Sequence, residues 1–130
     1  MSAKKNYTST RYPATLNVTV PVMKYTLRVT LRGMKPPIYR KFEVPSNVSL
    51  RFLSELVINL MGWKDTHLNT FFVGRVRYSP AYQRRPEGQY YYEEYNQEDH
   101  ALCEFLSVKG KSLLFQYDFG DSWNHEVKLS

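Results

Sequence analysis

The sequence predicts an α+β domain, and three observations carry that prediction. Tyr25, Leu27, Val29 and Leu31 alternate with Thr26, Arg28, Thr30 and Arg32, the period of a half-buried strand. Leu53, Leu56, Val57, Leu60 and Met61 then recur at the spacing of one helix face. Two further apolar runs, 112–119 and 123–129, flank a turn at Gly120-Asp121-Ser122.

Taken in order, residues 1–14 are polar, carry Lys4, Lys5 and Arg11, and read as a basic N-terminal arm ahead of a domain over 15–130. Leu16, Val18 and Val20 alternate as a short strand ended by Pro21. After the strand at 25–32, Gly33 and Pro36-Pro37 break the chain. Ile38, Arg40, Phe42 and Val44 resume on one side, which gives a hairpin with the Arg40 guanidinium reaching out to water. Ser49 suits a helix N-cap, and Gly62 suits the left-handed residue that ends the helix.

Residues 71–78 read as a third strand with Gly74 as a bulge. Residues 79–95 hold five tyrosines with Pro80, Pro86 and Gly88, have no sustained period, and read as a long Tyr-rich loop. Asp99 is placed to cap a short second helix through Leu102, Phe105 and Leu106. The expected plan is a single-domain β-grasp-like sheet, β-β-α-β-β, with one main covering helix.

Composition narrows the class. With 130 residues, 42% of them hydrophobic and 23% charged, the chain can bury one core without covalent staples. Cys103 is the single cysteine, which excludes an intramolecular disulfide and a cysteine-based zinc site. The opening residues lack the apolar run of a signal peptide, and no stretch has the length of a membrane span. A cytoplasmic location without a membrane partner is the expectation. The net charge of +6 is uneven: residues 1–85 carry 15 Lys/Arg against 3 Asp/Glu, and residues 86–130 carry 3 against 9. A basic half offers a face to an acidic partner such as nucleic acid.

Two groups of residues could carry chemistry or binding. His67, Asp118, Asp121 and His125 combine carboxylates with imidazoles, the donors of a divalent-metal or acid–base site. Their spacing matches neither a zinc-protease helix nor a calcium loop. The structural alternative has the aspartates accepting turn amides and the histidines bonding near Trp63 and Trp123. For nucleic acid, the candidates are Arg28, Arg32, Arg75, Arg77, Arg84 and Arg85. Tyr82 and its neighbouring tyrosines could stack on bases while the arginines hold phosphates. Glu93, Glu94, Glu98 and Asp99 follow at once and oppose that field. No Gly-rich nucleotide loop or nucleophile elbow occurs, so no cofactor is expected.

Three stretches are specific enough to compare with known families. They are YTLRVTLRGMKPPIYRKFEVPSNVSL at 25–50, Gly62-Trp63 followed by His67-Leu68, and FQYDFGDSWNHEV at 115–127. In these the chain resembles the plasmid pRiA4b ORF-3-like family over roughly residues 24–129. The resemblance implies an α+β fold related to β-grasp domains and an association with mobile elements. It implies no settled activity. The chain departs from the family's pattern at Tyr39, where tryptophan is usual, and at 79–95, where an acidic loop is usual. Members also commonly continue into a Pro/Gly-rich tail beyond the position of Ser130.

Three functions follow as expectations. The first is a non-enzymatic interaction module in a mobile-element or host-conflict setting, binding a protein partner through its sheet edge or Tyr-rich loop. The second is a nucleic-acid-binding accessory protein using the basic half, and the third a metal-dependent or hydrolytic enzyme centred on the Asp/His cluster.

Overall fold

The computed structural model describes residues 12–64, 67–84 and 92–130. Within them, β1 (Lys24–Leu31), β2 (Ile38–Pro45), β3 (Asn69–Val73), β4 (Val76–Ser79), β5 (Glu94–Asn96), β6 (Ser112–Tyr117) and β7 (Trp123–Leu129) form one sheet. Its order is β2-β1-β7-β6-β3-β4-β5. Neighbours are antiparallel except for β4 and β5. Among the described residues a single α-helix, α1 (Leu50–Leu60), packs on one face. The α+β class and the one main helix are as expected. The sheet is larger than the expected plan, and this order does not establish a closer likeness to β-grasp domains.

The hydrophobic effect sorts the two faces. Along β1, Tyr25, Leu27, Val29 and Leu31 are buried while Thr26, Arg28 and Thr30 are only partly covered. Leu27, Val29, Phe71, Phe115 and Val127 meet Leu50, Leu53, Val57 and Ile58 in the core. Among the described residues no helix covers the opposite face.

Helix α1 has the expected caps but a rotated face. Ser49 Oγ accepts from Phe52 N at 3.1 Å, so the first turn begins at Leu50. Counting the i, i+3, i+4, i+7, i+8 stripe from there gives Leu50, Leu53, Ser54, Val57 and Ile58, and all five are buried. Leu56, Leu60 and Met61, expected at the centre of the face, lie at its half-buried margin. Ser54 is tolerated inside because its hydroxyl donates to Arg51 O at 2.7 Å. At the other end Gly62 takes φ +79. Gly62 N donates to Asn59 O at 3.1 Å and Trp63 N to Ile58 O at 3.0 Å, which closes a Schellman motif and fixes where Trp63 emerges.

Several expected elements differ. Leu16 to Val20 form no strand; an isolated bridge, Thr15 to Val48, takes its place. Residues 71–78 are a hairpin rather than one strand, with Val73 opposite Val76 and Gly74 (φ +60) in a two-residue turn. The segment read as a long loop contributes Ser79 to β4, a 3₁₀ turn at Ala81–Gln83, and β5; residues 85–91 lie outside the described residues. The short helix expected after Asp99 is instead two 3₁₀ turns, Gln97–Asp99 and Leu102–Glu104. Leu102 N bonds Val48 O and Cys103 N bonds Ser46 O, each at 2.9 Å, so this backbone is tied to the 46–48 strip. Most of the proposed basic arm, residues 1–11, also lies outside the described residues. No helix among them is long and apolar enough to cross a membrane.

Candidate functional site

The inward-facing end of β6 and β7 gathers the aromatic residues. His125 follows Trp123 by two positions on β7, so strand alternation sends it to the helix-covered face, where it is fully buried. Trp63, delivered by the end of α1, donates its indole N–H to His125 Nε2 at 3.0 Å. Nε2 is therefore the bare nitrogen, and Nδ1 carries the proton and donates to Phe115 O at 3.2 Å. Burial holds the His125 pKa below the usual histidine value, with the backbone bonds opposing that shift. Trp63 also stacks on Tyr117 and Trp123, at centroid distances of 5.8 and 5.3 Å. His125 is thus a neutral strut, both nitrogens engaged.

Asp118 and Asp121 lie in the turn between those strands. Asp118 (φ 65) and Ser122 (φ 57) are left-handed, a conformation that aspartate tolerates by bonding its own backbone. Asp118 Oδ1 accepts from Gly120 N at 3.1 Å and Asp121 N at 3.4 Å. Ser122 N closes the loop onto Asp118 O at 2.5 Å. His67 approaches from the segment after α1: its Nε2 is 3.7 Å from Asp118 Oδ2, and its ring meets the edge of Tyr117 at 5.6 Å. The structure therefore brings His67 to Asp118, leaves Asp121 exposed, and assigns His125 to Trp63. Among the described residues no three His, Cys, Asp or Glu side chains gather as metal donors.

The structure places the described arginines among the predicted phosphate-binding residues in separate surroundings. Arg28 and Arg77 occupy the helix-free face, on β1 and β4. Arg28 lies 4.0 Å over the Tyr39 ring, and Arg77 lies between Phe72 and Tyr92, at 5.0 and 3.9 Å. Arg32 and Arg75 are exposed past strand ends. Arg84 donates to Asn96 Oδ1 at 3.0 Å and sits 3.7 Å from Glu94. Tyr82 is exposed with Arg51 5.0 Å above its ring, and Arg85 lies outside the described residues. Cys103 is half-buried, its thiol pKa raised by burial.

Two features had no signal in sequence order. The register places Lys41, Arg28 and Lys128 directly opposite one another across β2, β1 and β7. The second is the edge itself. β2 ends the sheet with eight residues, and among the described residues no strand pairs with its outer side. Tyr39, Arg40, Lys41 and Glu43 are exposed along it. At its end a shallow cavity of about 410 Å³ is lined by Val22, Met23, Lys24, Glu43, Val44 and Pro45. Val22 and Met23 are 56% and 63% exposed, more than an apolar side chain gains from if nothing covers it.

Comparison with known proteins places the chain in a wider group. Residues 23–130 match the profile of the family described as plasmid pRiA4b ORF-3-like protein. The uncharacterized protein y4hQ of Sinorhizobium fredii (strain NBRC 101917 / NGR234) is 29% identical over 103 residues, 79% of this chain and 51% of that one. The crystal structure of a protein of unknown function, MM3350 from Methanosarcina mazei Go1, matches with a TM-score of 0.71 and 26% identity. That match covers 82% of this chain and 59% of the other. The chain thus spans little more than half the length of either relative.

Proposed function

We propose that this chain, which belongs to the plasmid pRiA4b ORF-3-like protein family, is a non-enzymatic interaction module that binds a protein partner by strand addition. The observation that carries the reading is the open side of β2, eight residues long at the end of a seven-stranded sheet. An unpaired edge presents a row of backbone donors and acceptors, which proteins ordinarily shorten or cover unless a partner uses it. Main-chain bonds to such an edge supply affinity, and pockets for alternate side chains supply selectivity. The shallow cavity beside Val44 and Pro45, with Val22 and Met23 on its rim, offers an apolar anchor point. Arg40 and Lys41 flank the strand's centre and favour acidic side chains on the incoming segment.

The Asp/His cluster supports this reading by what its atoms already do. His125 has both nitrogens bonded, and Asp118 Oδ1 serves turn amides, so neither is poised toward an open cleft. A photo-crosslinking side chain introduced at Arg40, on the helix-side face of the edge, tests the reading in the native host. Capture of one protein from position 40, and none from the exposed position Val108, is the expected result. Equal capture from both positions, or from neither, contradicts it.

A further inference from the structure

The helix-free face of the sheet carries a second, independent feature. Lys41, Arg28 and Lys128 are Cα partners across β2, β1 and β7, so their side chains stand side by side on one face. Adjacent strands lie about 4.8 Å apart, so the three cations sit within about 10 Å. Like charges placed directly opposite destabilise a sheet. Among the described residues no carboxylate lies within ion-pair distance of any of the three. Glu43 is engaged by Lys24 at 3.7 Å, and Glu126 stands opposite Thr30, outside the row. Arg28 Nε is moreover buried without an acceptor. A row of cations that costs stability is what an added anion would complete.

We infer that this face binds single-stranded nucleic acid, with three successive backbone phosphates held along the row by Lys41, Arg28 and Lys128. A phosphate pairs with the Arg28 guanidinium, and its charge turns the repulsion of the row into attraction. The rest of the face suits bases better than it suits an acidic peptide. Tyr39 lies against Arg28, and Leu114 and Phe72 stand half-covered on the following strands toward Arg77 and Tyr92. Aromatic surfaces interleaved with cations on an open sheet stack unpaired bases without demanding a sequence. From Lys41 to Arg77 the face crosses five strand spacings, about 24 Å, enough for about four nucleotides.

The test is fluorescence anisotropy with a labelled oligothymidylate across a series of salt concentrations. It is run beside the duplex of the same length and beside poly-glutamate. Three neutralised phosphates on a single strand give a slope of log K against log salt of about −2. Lys41→Ala and Lys128→Ala, both at exposed positions, are each expected to weaken binding about fivefold and flatten the slope by about 0.7. Lys64→Ala, outside the sheet, is expected to change neither. No binding at low salt overturns the inference. So does an equal loss in Lys64→Ala, which would mean diffuse attraction. Tighter binding of duplex overturns the single-strand assignment, and poly-glutamate binding that depends on Lys41 and Lys128 in place of the oligonucleotide assigns the row to an acidic protein.

Discussion

The buried end of β7 and the open side of β2 treat their polar groups in opposite ways. Around Trp63 and His125 each nitrogen has a partner inside the protein, and the rings stack or meet edge-on. Along β2 the outer backbone has no strand against it among the described residues, and exposed Arg40 and Lys41 flank it. A closed polar network fixes one conformation and leaves little for a ligand to gain. An open edge is complete only with something added. The other edge of the same sheet sharpens the contrast. β5 has three residues, and its Glu94 accepts from Ser79 Oγ at 2.6 Å while Asn96 is engaged by Arg84 and Asp99. One edge is short and occupied by its own side chains; the other is long and bare.

If the interior is closed, substitutions there should cost stability, and substitutions at the edge should not. Leu53→Ala is expected to show the largest effect, about 2–5 kcal/mol in denaturant unfolding, because Leu53 is fully buried beneath the helix. Leu56→Ala, at the half-buried margin, is expected to cost clearly less. His125→Phe keeps the ring volume but leaves the Trp63 indole N–H without its acceptor, for about 1–3 kcal/mol.

Acid sharpens the same point. The folded pKa of His125 lies below its unfolded value near 6.5, so the unfolded chain takes up the proton first. The His125 contribution is present above that value and is lost as pH falls through it toward the lower folded pKa. Denaturant midpoints measured between about pH 7 and 5 should therefore fall less in His125→Phe than in the unmodified protein.

At the turn, Asp118→Ala removes the acceptor for two amides and is expected to cost about 1 kcal/mol. Asp118→Asn keeps an acceptor oxygen and should restore most of the loss, which a role resting on charge would not allow. The smallest effect belongs to the edge: Arg40→Glu should change stability by no more than about 0.5 kcal/mol.

Local signals were legible in the sequence, and tertiary ones were not. Ser49 and Gly62 mark the ends of α1 because capping depends on neighbours in the chain. The buried face of α1 was harder. Leu50, the first helical residue, looks like part of the preceding turn, and starting the stripe at Leu53 rotates it away from Ser54 and Ile58. The β3–β4 hairpin was hidden because Gly74-Arg75 lacks the usual Asn-Gly or Asp-Gly signature. His125 lies close in sequence to Asp118 and Asp121, but strand alternation turns its ring into the buried core instead. The alignment of Lys41, Arg28 and Lys128 depends on β7 returning beside β1 from the far end of the chain, a register that no local pattern encodes.

The most direct test of the open edge is amide hydrogen exchange of the protein with and without the partner captured from position 40. Strand addition predicts that new protection concentrates in residues 38–45, where β2 gains main-chain hydrogen bonds, while the amides near Trp63 and His125 stay as they were. Protection that spares 38–45 and falls instead around His67 and the 118–122 turn would contradict the account, returning the binding role to the end of the sheet where the carboxylates and imidazoles lie.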